Sequence, residues 1–252
     1  MALTDKLTAI GDAIREKTGS TAKLSLDQMV DEIEGISAGG GDTSVEDAFF
    51  TGKSTPYTNT RITTLRNYAF KDCYFLTSIN VPNVTTAGAQ AFYSCSGLSE
   101  LILDNLTTAT NSMCYNCRNM ITFSAATLTD VPQDIFGSCN KLANVNLPSA
   151  TNIGKSAFNA CYALKKLELP SVLTLQSYAF TNANNFATLI IRTTSQVVTL
   201  VDKYVFNNTA IKSGGTGYVY VPDALVEDYK VATNWSNFAD QIKPLSEYVE
   251  VS

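Results

Sequence analysis

Five cysteines recur at one interval. Cys73, Cys95, Cys117, Cys139 and Cys161 stand 22 residues apart, and the sixth, Cys114, falls three residues before Cys117 in "CYNC". A thiol can act as nucleophile, metal ligand, redox partner or half of a disulfide, and each role demands its own geometry. The chain has no histidine, which removes the commonest general base and every Ser-His or Cys-His arrangement. A metal site needs ligands converging on one point, whereas a row of thiols at a fixed interval does not converge. A disulfide needs Cβ atoms about 3.8 Å apart and turned toward each other, while equivalents stacked at about 4.8 Å run parallel. A thioredoxin-like exchange would require Cys114 and Cys117 at an exposed helix N-terminus, yet both belong to columns that read as inward. What remains is packing, since cysteine is among the most often buried residues and fills space as a small hydrophobe. The expectation is therefore no disulfide, no metal and no cofactor.

The interval governs more than the thiols. Steps of 22 from Phe70 reach Phe92, Cys114, Phe136, Phe158 and Phe180, and three residues after the last of these Ala183 closes the cysteine series. Further columns are apolar throughout: Leu76, Leu98, Met120, Leu142, Leu164 and Phe186, and again Ile79, Leu101, Phe123, Val145, Leu167 and Leu189. A fixed period in this range means stacked supersecondary units. A further coil is expected from Val198, Val201 and Phe206, offset by four residues around "TTSQ" (193 to 196) and interrupted by "SGGTG" (213 to 217).

Within each coil, stretches such as "LSELILD" and "LKKLELP" alternate apolar and polar residues before a turn residue, which predicts one short strand. Stacked in register, these strands form a parallel sheet. "NYAF", "GAQAF" and "KSAF" carry spacings of three and predict a tight helical or 3₁₀ turn on the other side. Strand on one side and turn on the other make a solenoid.

A coil such as "IGKSAFNACYALKKLELP" (153 to 170) resembles the BspA-like class of leucine-rich repeats, over roughly residues 61 to 222. The resemblance implies an α/β solenoid of about seven 22-residue coils with one parallel strand each. Residues 45 to 60 would form an N-terminal cap. "YVYVPDALVEDYKVATNWSNFADQIKPL" (218 to 245) resembles the helical cap of such arrays, giving a cap over 223 to 252 that covers an otherwise open strand edge.

Residues 1 to 36 read differently. Leu3, Leu7, Ile10 and Ile14 form a two-heptad apolar stripe, and Ser25 with Gln28 caps a second candidate helix over 25 to 36. "SAGGGDTS" (37 to 44) has the composition of a flexible linker. "KLTAIGDAIREKTGSTAKLSLDQMVDEIEGI" is similar to N-terminal segments of tail and appendage proteins of phages of Gram-positive bacteria, which implies an assembly or attachment segment, a possible homo-oligomer and a virion-associated protein.

With the core assigned, recognition falls to exposed columns. The strands are expected to direct Ser78, Asn80, Glu100, Thr122, Ser124, Asn144, Asn146, Lys166, Glu168 and Thr188 outward, a hydrogen-bonding face on the order of 30 Å long at about 4.8 Å per strand. A second column two residues before each Phe position runs Tyr68, Gln90, Ser112, Asp134, Ser156, Tyr178 and Tyr204, and tyrosine is a good interface anchor. The net charge is −5 and the 18 Lys and Arg never form a run, so nucleic acid and anionic membranes are not expected partners. The acidic N-terminus reads as neither a signal peptide nor a membrane span; a virion-associated or cytoplasmic location is expected, with the cell surface reached only by a non-standard route. The reading is a non-catalytic recognition protein that binds a bacterial surface glycan or protein through its solenoid, or a bacterial leucine-rich-repeat module for protein interaction.

Overall fold

The computed structural model describes residues 57–74, 76–212 and 214–250. All of them belong to one compact unit of the chain. The expected segment 1–36, the linker 37–44 and most of the expected cap 45–60 lie outside the described residues.

The alternating stretches form strands. Ile79–Asn80, Glu100–Ile102, Thr122–Ser124, Asn144–Asn146, Lys166–Leu169 and Thr188–Ile191 succeed one another along the array, preceded by Tyr57–Thr58 and followed by Tyr218–Val221 and Ile242–Pro244. Pairing is parallel and in register, as in Lys166 beside Thr188 beside Tyr218. The array therefore reaches into both stretches expected as caps: Tyr57–Thr58 pairs with Ile79–Asn80, and Ile242–Pro244 pairs with Tyr218–Val221.

Seven successive coils also carry a second strand, which the alternating pattern does not announce. Thr64–Leu65, Thr86–Ala87, Thr108–Ala109, Asp130–Val131, Asn152–Ile153, Thr174–Leu175 and Thr199–Leu200 form a second parallel column. A two-residue strand offers one inward position, too short for alternation to register as a pattern. The molecule is thus a β-solenoid of about eight coils of roughly 22 residues, not an α/β solenoid of about seven.

The turns at the Phe column are not helices. The Ala69, Lys71 and Cys73 N–H groups donate to Arg66, Tyr68 and Phe70 carbonyls, the three-residue bonds of tight turns. The intervening Tyr68, Phe70 and Asp72 N–H groups donate instead to Ala89, Ala91 and Tyr93 carbonyls of the next coil, at 2.9, 2.6 and 2.8 Å. Left-handed residues make this division possible: φ is positive at Tyr68, Gln90, Ser112, Asp134, Ser156 and Tyr178, and again at Asp72, Ser94, Asn116, Ser138, Ala160 and Asn182. Such residues cost about 1–2 kcal/mol each when they are not glycine, and here the bonds between coils hold them. The Tyr68 column is accordingly a backbone requirement before it is an interface.

Short polar side chains complete the ladder after each first strand. Asn83, Asn105, Thr127, Ser149, Ser171 and Thr193 each donate to the carbonyl 23 residues earlier, as in Asn83 Nδ2 to Thr60 at 2.6 Å and Ser149 Oγ to Ala126 at 2.7 Å.

The Phe column is a stack of rings in the buried core. Centroids lie 5.3 Å apart for Phe70 and Phe92, 5.3 Å for Phe158 and Phe180, and 5.8 Å for Phe180 and Phe206. The stack is broken at Cys114. There the neighbouring Ala column enlarges to Met113, and the strand column carries Phe123, whose ring meets Phe136 edge-on at 4.6 Å. Volume lost at one inward position returns at others, as close packing requires. In the last coils the order shifts slightly: Leu200 is the buried residue and Val201 is 43% exposed, because the four-residue offset moves the inward position.

The C-terminal end is closed by aromatic side chains more than by helix. A 3₁₀ turn Asp223–Leu225, one helix α1 (Val226–Val231) and a 3₁₀ stretch Trp235–Gln241 precede the final strand. Trp235 Nε1 donates to the Val198 carbonyl at 2.6 Å, the Tyr229 hydroxyl accepts the Val198 N–H at 3.1 Å, and Asn234 Nδ2 donates to the Leu200 carbonyl at 2.7 Å. These bonds satisfy the open edge of the second strand column, while Phe238 packs against Phe206 with centroids 5.2 Å apart.

Two outcomes are expected. Cys114→Phe alone should destabilise by about 1–3 kcal/mol through overpacking, Phe123→Leu alone should leave a cavity, and the double variant should recover about 1–2 kcal/mol of coupling, measured by urea unfolding. Burial pushes the Tyr229 phenol up to about 12. Its contribution is whole below its ordinary value near 10 and is lost as pH rises from there through 12, because the unfolded chain ionises first. Tyr229→Phe should cost about 1–3 kcal/mol at pH 8 by orphaning a buried N–H and remove part of the fall in urea midpoint between pH 9 and 11.

Candidate functional site

The six thiols are free and buried. Cys73 Sγ donates to the Lys71 carbonyl of its own coil at 3.9 Å, and four others reach across to a neighbouring coil. Cys95, Cys117, Cys139 and Cys161 donate from Sγ to the carbonyls of Phe70, Phe92, Cys114 and Phe136, at 2.8, 2.9, 3.1 and 3.2 Å. Each of these carbonyls also accepts the backbone N–H of the cysteine in its own turn, as Phe92 does from Cys95 at 3.1 Å. The thiol is thus both a small core residue and a donor that ties one coil to the previous one. Burial pushes the Cys114, Cys117 and Cys161 thiols up, and hydrogen bonding with Cys117 does the same for Cys95. The reactive thiolate is suppressed in all four. Cys114 and Cys117 of "CYNC" are both fully buried, far from the exposed helix end that exchange chemistry needs.

The strand face is only partly what its pattern predicts. Ser78, Asn80, Glu100, Asn144, Asn146, Lys166 and Glu168 are exposed, while Thr122 and Thr188 are half-buried. Ser124 is a correction: it is 7% exposed. Its hydroxyl donates to the Asp104 carboxylate and accepts from Asn146 Nδ2 at 2.9 Å, so the turn carrying Asp104 reaches over an outward position. Ile190, at the outward position that follows Thr188 in the alternation, is buried.

Further polar capacity on this face is used within the protein. Arg192 pairs with Glu168. Lys166 Nζ lies 2.7 Å from Glu250 Oε1 and donates to the Tyr248 hydroxyl at 3.3 Å. The Lys166 ammonium holds the Glu250 carboxyl below its ordinary value. The C-terminal segment therefore crosses the end of the face, where Tyr220 and Tyr248 rings meet at 5.1 Å and Lys243 sits over the Tyr218 ring at 5.0 Å. Tyr218, Tyr220, Lys243 and Tyr248 were missed as members of this face. The alternation in "YVYVP" (218 to 222) is the available signal for the two strand tyrosines. The face can hydrogen-bond and stack; it brings no nucleophile beside a base. Among the described residues, no group of three metal-ligating side chains converges, and no helix is long and apolar enough to cross a membrane.

Parallel strands in register, an aromatic stack and an asparagine, serine and threonine ladder define a leucine-rich-repeat solenoid with an exposed strand face. The sequence profile of the BspA type leucine rich repeat region matches residues 42–126 and 120–215 in six copies, and the chain belongs to that family. Solved structures share the fold. A leucine rich cell surface protein from Faecalibacterium prausnitzii is 21% identical with a TM-score of 0.57, covering 73% of this chain and 59% of its own. A leucine-rich repeat protein from Bacteroides ovatus is 20% identical with a TM-score of 0.51, covering 75% and 52%. The leucine rich repeat protein of T. pallidum is 25% identical with a TM-score of 0.50, covering 66% and 75%. The chain thus spans little more than half the length of the first two. No curated protein matches the chain.

An aromatic disulfide reagent should find none of the six thiols in the native protein and all six in guanidinium chloride, read by the absorbance of the released thiolate. Fast titration of any thiol without denaturant would overturn the buried assignment.

Proposed function

We propose that the chain is a non-catalytic recognition and adhesion module whose solenoid binds a bacterial surface glycan or protein. The observation that carries this reading is the division of labour in the coil. The thiols and phenylalanine rings of the repeat are committed to the core, and exposed polar side chains recur along the first strand column, interrupted at Thr122–Ser124 and Thr188–Ile191. Similarity to a protein described as a cell surface protein supports a surface-directed role. Several weak contacts along one rigid face would add through effective concentration.

A tail-associated role belongs to residues 1 to 36 alone, which lie outside the described residues. The similar solved structures quoted above are bacterial leucine-rich repeat proteins, which favour a bacterial interaction module over a virion component. Assembly through residues 1 to 36 is kept as part of the proposal.

Replacing Asn80, Glu100 and Asn144 together by Ala should lower retention of the labelled full chain on bacterial cells at least tenfold, with the thermal midpoint shifted by no more than about 2 °C. Undiminished retention would sink the strand face as the binding surface. In parallel, light scattering should show the full chain as an oligomer and residues 45–252 as a monomer if residues 1 to 36 assemble.

A further inference from the structure

The regular period breaks toward the C-terminal end of the array. Phe180 to Phe206 spans four residues more than the coil repeat, and the "SGGTG" stretch lengthens the path to the strand Tyr218–Val221. Insertions into a stack cannot enter the ladder, so they must bulge at the surface and leave a hollow beside the coil they depart from. A depression of about 410 Å³ borders the second of these stretches, lined by Tyr162, Asn182, Asn184, Asn208, Thr209 and Lys212. Its size is that of a small-molecule site.

The lining is held in place before any ligand arrives. Asn208 Nδ2 donates to Asn182 Oδ1 at 2.8 Å, and Asn182 Nδ2 donates to Asn159 Oδ1 at 3.2 Å. The Asn184 amide, oriented so that its nitrogen meets two carbonyls, donates to Asn182 at 3.0 Å and Asn208 at 2.9 Å. Thr209 Oγ1 donates to the Phe206 carbonyl at 2.8 Å and accepts the Ile211 N–H at 3.2 Å. The inserted loop is pinned by Gly215 N–H to Lys212 and Gly217 N–H to Ala210, both at 2.7 Å. A Cβ at Gly217 would come within 2.7 Å of the Ala187 carbonyl, so the loop's path depends on that glycine.

Left-handed backbone at Asn182 and Asn208 accounts for asparagine at those two positions. The two carbonyls that the Asn184 amide bridges account for that residue; neither feature accounts for a tyrosine left 44% exposed at Tyr162. We propose that this depression is a saccharide site, separate from the strand face. A pyranose has an apolar C–H face and a rim of hydroxyls. The Tyr162 ring offers the apolar surface, the Oδ1 atoms of Asn184 and Asn208 offer acceptors to hydroxyl donors, and the Lys212 ammonium offers a donor to a hydroxyl or acetamido oxygen. With the amide nitrogens engaged to neighbours, the site's free polarity is amide acceptors and one ammonium donor beside a ring, a mixture that suits the hydroxyl rim of a mono- or disaccharide.

Saturation-transfer NMR on the full chain with glucose, galactose, mannose, N-acetylglucosamine and N-acetylgalactosamine tests the proposal. Transfer to at least one sugar is expected, with affinity reduced at least tenfold in Tyr162→Ala and kept within about threefold in Tyr162→Phe, which retains the ring. No transfer from any of the five at millimolar concentration, or equal affinity in Tyr162→Ala, overturns it. Tyr162→Ala is also assayed for retention on cells. Retention abolished by the strand-face variant but intact in Tyr162→Ala, together with no sugar binding, would remove this pocket and leave the adhesion reading standing.

Discussion

The backbone ladder between coils is the constraint on which the rest depends. Successive strands lie about 4.8 Å apart, and each turn at the Phe column sends alternate N–H groups into its own loop and into the next coil. An unpaired buried backbone group is costly, so no coil can slip or lengthen inside the stack without orphaning several groups together. The 22-residue period follows from that penalty. So do the left-handed residues, including Tyr68, Ser156 and Ala160, which local preference alone would place elsewhere.

Once backbones are fixed at one spacing, side chains can vary only in concert. Cys114 in the Phe column is tolerated beside Met113 and Phe123, and Ala183 ends the thiol series in the coil where Phe186 packs against Phe180 at 4.6 Å. The cysteine column illustrates how a chemically capable group becomes structural. Burial at Cys117 and Cys161, and hydrogen bonding with Cys117 at Cys95, suppress the thiolate, and the S–H instead supplies a donor to a carbonyl one coil away. At the far end the same requirement reappears, and Trp235, Tyr229 and Asn234 provide side-chain partners where no further second-column strand follows.

Recognition is therefore confined to what the ladder leaves over. Outward strand positions are free to change, yet part of their polarity is spent laterally, as in Asn146 to Ser124 to Asp104. The larger freedom lies where extra residues are expelled from the stack. Beside one such bulge the Tyr162 ring, exposed and outside the ladder, is free to be chosen for something else.

The coil length, the inward Phe, Cys and Leu columns, the first strand of each coil and the unreactive standing of the thiols were all determined by the sequence itself. Equal spacing stacks like over like, and a column that is apolar in every coil must face inward. The second strand column, the sign of φ at the two turn positions, the thiol-to-carbonyl bonds and the burial of Ser124 were decided only by the tertiary structure. None has a local signature. A two-residue strand shows no period, serine and tyrosine carry no mark of a left-handed backbone, and the Asp104 turn covers Ser124 only because the residue 20 positions ahead is brought beside it by the next coil.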